Sequence, residues 1–438
     1  MRTLILPLLA TTLMWPLAAG AQNWTDMGGF PDDTTFTAAM HGVAVDGEGK
    51  VWLQPFSNSV WVDPQSGDTV RDSNGDPVST TTIFVYNDDG TEAMDPIRTI
   101  TVDAVTDTLT GNVRGLRTDH NGDILVASGA AELWRVDHTT GEGMDKVVVG
   151  SGPLSAPGVT EDGTIYTAFV IPGAPIGIYN SDFTFQANAV DSARGFSRSF
   201  DVTADGNQIF WAGYSNVAIY RYTRPDEFSA FGDADTLLPG IVSESITRNP
   251  FTGAMWLSNA PAAGVNPDST FGDPSQYLTW YAFDPVNEVI VDSLKYHLDN
   301  PVGDEKPRGL AFSPDGSTAY AVIFDTNGNT SVRKIQGPDY TSIEEVDGEI
   351  PSRLQLGRNY PNPFSGETTF EFAIADAGKA RLSVFDVRGR EVAVLVDDFL
   401  AAGRYSATFE AGNLAAGAYF YRLDLDGQRI SGKMLLVK

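Results

Sequence analysis

Six short stretches of this chain are variations on one pattern. "HGVAVDGEGKVWL" begins at His41, "RGLRTDHNGDILVAS" at Arg114, "SAPGVTEDGTIYTA" at Ser155, "RSFDVTADGNQIFWAG" at Arg198, "ESITRNPFTGAMWLS" at Glu244 and "RGLAFSPDGSTAYAV" at Arg308. Each has an apolar run, a turn rich in Asp, Asn and Gly, and a second apolar run. Asp-Gly and Asn-Gly supply the positive φ that tight hairpin turns need, so each stretch predicts a hairpin. Two further strand-like runs follow most of them, such as "TTIFVYNDDG" and "IRTITVDAV" after the first and "LTWYAFDP" and "EVIVDSLKY" after the fifth. Four strands repeated about an axis form the blade of a β-propeller. No segment carries a 3.6-residue apolar period. The chain is therefore read as all-β, with a six-bladed β-propeller over residues 22–337.

The repeat is uneven. A long insertion, "WVDPQSGDTVRDSNGDPVST", follows the first hairpin, and "APAAGVNPDSTFGDPSQY" follows the fifth. Long loops in a tight repeat are common ligand sites. The sixth hairpin is followed only by "TSVRKIQ", one strand short. The segment Asn23 to Gly29 is expected to supply the missing strand and so remove two free sheet edges.

Composition narrows the function classes. The 438 residues carry 57 acidic against 29 basic side chains, a formal net charge of −28. Phosphate contacts need Lys and Arg, so non-specific nucleic-acid binding is not expected. Such a charge reads as a solvated acidic surface, or as a habit of proteins in salty surroundings. Cysteine is absent, which removes disulfides, thiolate metal sites and a Cys nucleophile. The four His (His41, His120, His138 and His297) do not cluster, which argues against a zinc site. At the N-terminus, Arg2, the apolar run Leu4 to Leu17 and the small residues Ala19-Gly20-Ala21 read as a signal peptide, residues 1–21, handed to the Sec translocon. The apolar run is too short to anchor a membrane, and no later segment could span one.

Residues 338–353, "PDYTSIEEVDGEIPSR", read as an acidic linker. Beyond them, residues 354–438 alternate apolar and polar side chains in short runs separated by Gly turns, predicting a small Ig-like β-sandwich. "NYPNPF" (Asn359 to Phe364), "VFDVRGREV" (Val384 to Val392), "LAAGAYFYRL" (Leu414 to Leu423) and the final "KMLLVK" resemble the type A C-terminal sorting domain of the type IX secretion system. The resemblance implies passage through the periplasm, recognition by the type IX machinery at the outer membrane, and release or attachment at the cell surface. It marks Asn359, Pro361, Asn362, Pro363, Phe364, Gly389, Gly417, Lys433 and Lys438 as sorting-motif residues. On physical grounds, Pro361 and Pro363 are expected to hold an extended segment that lacks backbone donors at a sandwich edge.

Aligning the hairpins on their turn glycines brings His41, Arg114, Ser155, Arg198, Glu244 and Arg308 to equivalent positions, the first residue of each innermost strand. Six-fold geometry would gather them at one mouth of the central channel. Three guanidiniums there repel one another unless a carboxylate or a ligand anion lies between them, and guanidinium suits carboxylate and phosphate through its paired donors. Three readings stand side by side: Arg residues that knit blades together, an anion or glycan site, and catalysis with His41 as base and Glu244 as partner. The propeller is loosely similar to the calcium-dependent lactonases and the streptogramin lyases. A lactonase site implies channel carboxylates with Asn, and the ring has Glu244 alone; a lyase implies a His and a Glu, which His41 and Glu244 match in type only. The expectation is a surface or secreted binding module, with a lyase or lactonase-like hydrolase of an anionic carbohydrate or lactone as the alternative. No cofactor is expected; Asp72, Asn74 and Asp76, in the first insertion, have oxygen spacing that can hold calcium, though the central Gly reads as a turn. The tryptophans of the strands read as core, with Trp61 the least committed.

Overall fold

A computed structural model describes residues 24–438, apart from 37–38, 64–65, 215–216, 262–270, 287, 299–304, 326–330, 338–342, 346–353, 376–377, 401, 412–413, 426–427 and 438. The expected signal peptide lies outside the described residues. No α-helix occurs among them, and no helix is long and apolar enough to cross a membrane.

Each of the six hairpins forms the first two strands of a four-stranded antiparallel sheet. The first sheet runs Met40–Val45, Val51–Pro55, Ile83–Tyr86 and Glu92–Ile97. The fifth runs Ile246–Arg248, Met255–Asn259, Thr279–Asp284 and Val289–Lys295. In the first sheet the fourth strand is Glu92–Ile97; the expected "IRTITVDAV" instead folds mostly into a separate hairpin, Thr99–Val102 with Val105–Thr108. The sixth sheet takes its outer strand from the other end of the chain. Thr25–Gly29 pairs antiparallel with Val332–Gln336, Thr25 opposite Gln336 and Asp26 opposite Ile335. Trp24 anchors this closure. Its indole donates to Asp292 Oδ2 at 2.7 Å and stands edge-on to Trp256 at 5.3 Å.

The innermost strands are neighbours in a closed circuit, Met40–Val45 touching both Leu116–Thr118 and Lys306–Phe312. The apolar cores follow the same circuit, because each joins two consecutive sheets. Trp52 and Trp134 share the core between the first and second sheets, Phe210 and Tyr281 that between the fourth and fifth, and Tyr320 and Phe30 that between the sixth and first. Both faces of these sheets are buried, which explains runs such as Thr318–Phe324 that are apolar at nearly every position. Burying one such tryptophan removes about 200 Å² from water, worth roughly 5 kcal/mol. The arrangement is propeller-like.

The C-terminal residues form two further four-stranded sheets around one apolar core that includes Phe364, Phe370, Leu382 and Tyr421. One of these sheets recruits Ile343–Glu345, from the segment read as linker, against Gly403–Glu410. An open sheet edge offers unpaired backbone groups, and the passing segment fills them.

Candidate functional site

Where the ring residues fall is decided by the hairpin turns. Each turn is closed by a backbone bond from its first residue: Asp46 to Lys50 at 3.0 Å, Asp119 to Asp123 at 2.8 Å, Thr160 to Thr164 at 3.1 Å, Thr203 to Gln208 at 3.0 Å, Asn249 to Ala254 at 2.9 Å and Ser313 to Thr318 at 2.9 Å. Counting back the same distance from each, 46 − 5 to 313 − 5, gives His41, Arg114, Ser155, Arg198, Glu244 and Arg308. In the first and sixth sheets this residue is extruded from the ladder by a bulge, between Met40 and Gly42 and between Pro307 and Gly309. The next residue is always small: Gly42, Gly115, Ala156, Ser199, Ser245 or Gly309. Innermost strands approach closely here; a Cβ on Gly309 would lie 2.8 Å from Val43 Cγ1.

The structure brings five of the six together electrostatically. Arg308 Nε is in direct ion contact with Glu244 Oε2, and Arg198 Nε lies 3.7 Å from the same oxygen. Glu244 is fully buried and His41 nearly so. Arg198 and Arg114 are only partly buried and form the more open side. Burial, then the charges of Arg308, Arg114 and Arg198, hold His41 well below the usual histidine range, so its imidazole is neutral at physiological pH. Burial likewise pushes Arg308 down to about 10, against the pull of Glu244, and lowers Arg114, which also feels Arg198. Arg308 and Arg114 nevertheless remain cations at neutral pH.

Aromatic plates back the cations. Arg114 lies over Phe56 at 5.2 Å, Arg198 over Tyr214 at 5.0 Å and Phe196 at 5.6 Å, and Arg308 over Phe324 at 4.7 Å. His41 stacks on Phe56 at 5.7 Å. These rings were not singled out from the sequence, yet a signal was there. Phe56, Tyr214 and Phe324 occupy one equivalent position at the end of the second strand or just past it, in the three sheets whose ring residue is His41, Arg198 or Arg308. Arg114, whose own sheet has Gly129 there, borrows Phe56 from its neighbour.

Polar capacity at the ring is unspent. Both ring nitrogens of His41, Nε and Nη1 of Arg114, Oε1 of Glu244 and Oγ of Ser155 are buried without a hydrogen-bond partner. Backbone carbonyls therefore do not satisfy these groups, unlike the nearby Arg117. That residue, also missed in the sequence, donates to Pro157 O at 2.9 Å, Thr247 Oγ1 at 2.6 Å and Ile246 O at 3.3 Å, and pairs with Asp201 at 3.0 Å. It knits four sheets below the ring. Beyond it, at the turn end of the same strands, lies a cavity of about 360 Å³ lined by His120, Glu161, Asp201 and Arg248. The remaining His serve elsewhere; His138 Nδ1 contacts Asp123 at 2.7 Å and is raised by that bond.

The calcium candidates form a turn. Asp72 Oδ1 accepts from the backbone of Asn74 and of Asp76, both at 2.9 Å. Among the described residues no group of three or more His, Cys, Asp or Glu is placed to hold a metal ion. The insertion that carries them folds into short antiparallel passes, Ser59–Val60 against Ser79–Thr80 and Val62 against Thr69, rising from the His41 end of the first sheet. Trp61 lies there beneath Arg98 at 5.5 Å.

In the C-terminal unit the motif "NYPNPF" grips the last strand. Asn362 Oδ1 accepts from Leu435 N at 3.0 Å and its Nδ2 donates to Lys433 O at 3.2 Å. Phe364 is buried and exchanges backbone bonds with Leu435 and Val437. Buried Asn359 donates to Thr368 and to Pro361 O. The two asparagines thus tie the motif down, and both X-Pro bonds, at Pro361 and Pro363, are cis. Gly389 closes its hairpin at φ 77°, a value that favours glycine, and Gly417 opens the strand Gly417–Leu425. Lys438 lies outside the described residues.

Among solved structures, the chain is similar to a luciferin-regenerating enzyme (TM-score 0.44, 10% identity, covering 73% of this chain and 96% of that one) and to a chain of a mitotic checkpoint complex (TM-score 0.44, 10% identity, 77% and 98%). Likeness at that level carries nothing about activity. No curated protein matches the chain. The family model described as a secretion system C-terminal sorting domain matches residues 358–438. The gripped motif, the two-sheet unit and that match agree: the chain ends in a type IX secretion system sorting domain and is exported, to the cell surface or beyond it.

Proposed function

We propose that the chain is a binding module delivered outside the cell: a six-bladed β-propeller over residues 22–337, joined to an Ig-like sandwich over 354–438 that the type IX machinery reads. The propeller holds a small anionic ligand or an anionic glycan at the ring mouth. One observation carries this reading. Three guanidiniums converge with one carboxylate, and buried donors of Arg114 are left without partners. Guanidinium edges of this kind fit carboxylate or phosphate oxygens. A hydrolase or lyase reading draws no support from His41, whose ring nitrogens have no hydrogen-bonded partner to orient or activate them. The test is an organic-anion and glycan binding screen on the full chain, repeated with Arg114→Ala, Arg198→Ala and Arg308→Ala. At least one hit should weaken about tenfold or more in each variant. Unchanged binding in all three would dispose of the site.

A further inference from the structure

Among the described residues, the charge gathered at this mouth is not balanced. Arg114, Arg198 and Arg308 contribute three positive charges, Glu244 one negative charge, and His41 none, leaving 3 − 1, or two positive charges. The charges that act on Arg114 are those of Arg198 and Glu244, and among the described residues no second carboxylate acts on it. The aromatic plates attract the cations through their faces but neutralise nothing. A face stacked on a ring leaves the guanidinium edge, with its paired N–H donors, for another partner. Arg308 is held by Glu244 in the buried part of the ring, while Arg114 and Arg198 remain the more exposed members. An incoming group meets those two first.

Resting on the anion reading above, we propose that the ring selects a compact dianion with paired oxygens, a dicarboxylate or a phosphate monoester, over a monoanion. Two negative charges cancel the excess; a monoanion leaves one guanidinium uncompensated in a partly buried place, which is unfavourable. Arg114 sets the preference, because it brings the excess charge without belonging to an ion pair of the ring.

Isothermal titration of the full chain at pH 7.5 and fixed ionic strength, with acetate, succinate and methyl phosphate, tests this. Succinate or methyl phosphate should bind roughly tenfold or more tightly than acetate, and whichever of the two wins identifies the oxygen chemistry. Arg114→Gln, which lowers the excess to one charge, should bring the dianion and acetate to within about threefold, and Arg114→Lys should restore much of the gap. Equal affinity for all three probes in the parent overturns the dianion proposal and leaves the anion site standing. A preference that survives Arg114→Gln also overturns it. Absence of binding by every probe overturns both.

Discussion

Glu244→Gln isolates the electrostatics of the ring. The carboxamide has nearly the volume of the carboxylate, so no cavity is made, and the side chain stays buried between Arg308 and Arg198. What disappears is the single negative charge facing three guanidiniums. Removing one partner of a buried ion pair costs about 3–5 kcal/mol, because the other partner is left uncompensated. In a chain of this length each kcal/mol moves the melting temperature by about 2 °C, which gives a fall of about 6–10 °C. Differential scanning calorimetry in a buffer poor in multivalent anions reads it directly. Adding succinate should narrow the gap between variant and parent, since an anion can take over the lost charge. A melting temperature within about 2 °C of the parent, with and without succinate, would show that Glu244 does not offset the ring cations. The mouth would then not be an under-compensated cluster.

Trp24→Ala should cost about 3 kcal/mol, from lost packing on Trp256 and Phe312 and the lost bond to Asp292; hydrogen exchange should quicken along Val332–Gln336, and unchanged protection there would refute the role of the closing strand. Asn362→Ala should cost about 1–3 kcal/mol and speed exchange in Gln428–Leu436, because both of its ties to that strand go. His41 is depressed in the folded state, so below its usual value near 6.5 the unfolded chain takes up a proton that the folded chain refuses. Its effect is flat above that pH and lowers stability by about 1.4 kcal/mol per unit as pH falls below it. His138, raised by Asp123, acts in the opposite sense, its contribution present at low pH and lost as pH rises through its folded value. Urea titrations at pH 5.5 and 7.5 should therefore show a smaller acid loss in His41→Phe than in the parent, and equal losses would refute the buried neutral imidazole.

The hairpins were legible because their turns need Gly, Asp or Asn at fixed places, and the apolar runs flanking them leave no other register. The same turns made the ring legible, since each of its residues stands at one distance from the turn's first residue. The backing rings were not, although Phe56, Tyr214 and Phe324 repeat in register, because an aromatic at the end of a strand reads equally well as core. Arg117 was hidden for a related reason: its partners are backbone carbonyls and side chains from three other sheets, at separations up to 130 positions. The fourth strand of the first sheet was misplaced by a few residues because "TEAMDPI" lacks the β-branched alternation of "TITV", and pairing with Ile83–Tyr86 decided the matter. In the tail, the prolines drew attention from the sequence while the asparagines make the bonds.

The sheet that completes the circuit is assembled from both extremes of the propeller-like unit, Asp26 meeting Arg333 across 307 positions. Such a seam has no early partner: while synthesis proceeds from the N-terminus, the first strand waits for nearly the whole repeat to exist before it can be zipped in. A chain stopped short of Val332 would leave Thr318–Phe324 and Thr25–Gly29 without the strand that joins them, two bare edges rather than a slightly smaller ring.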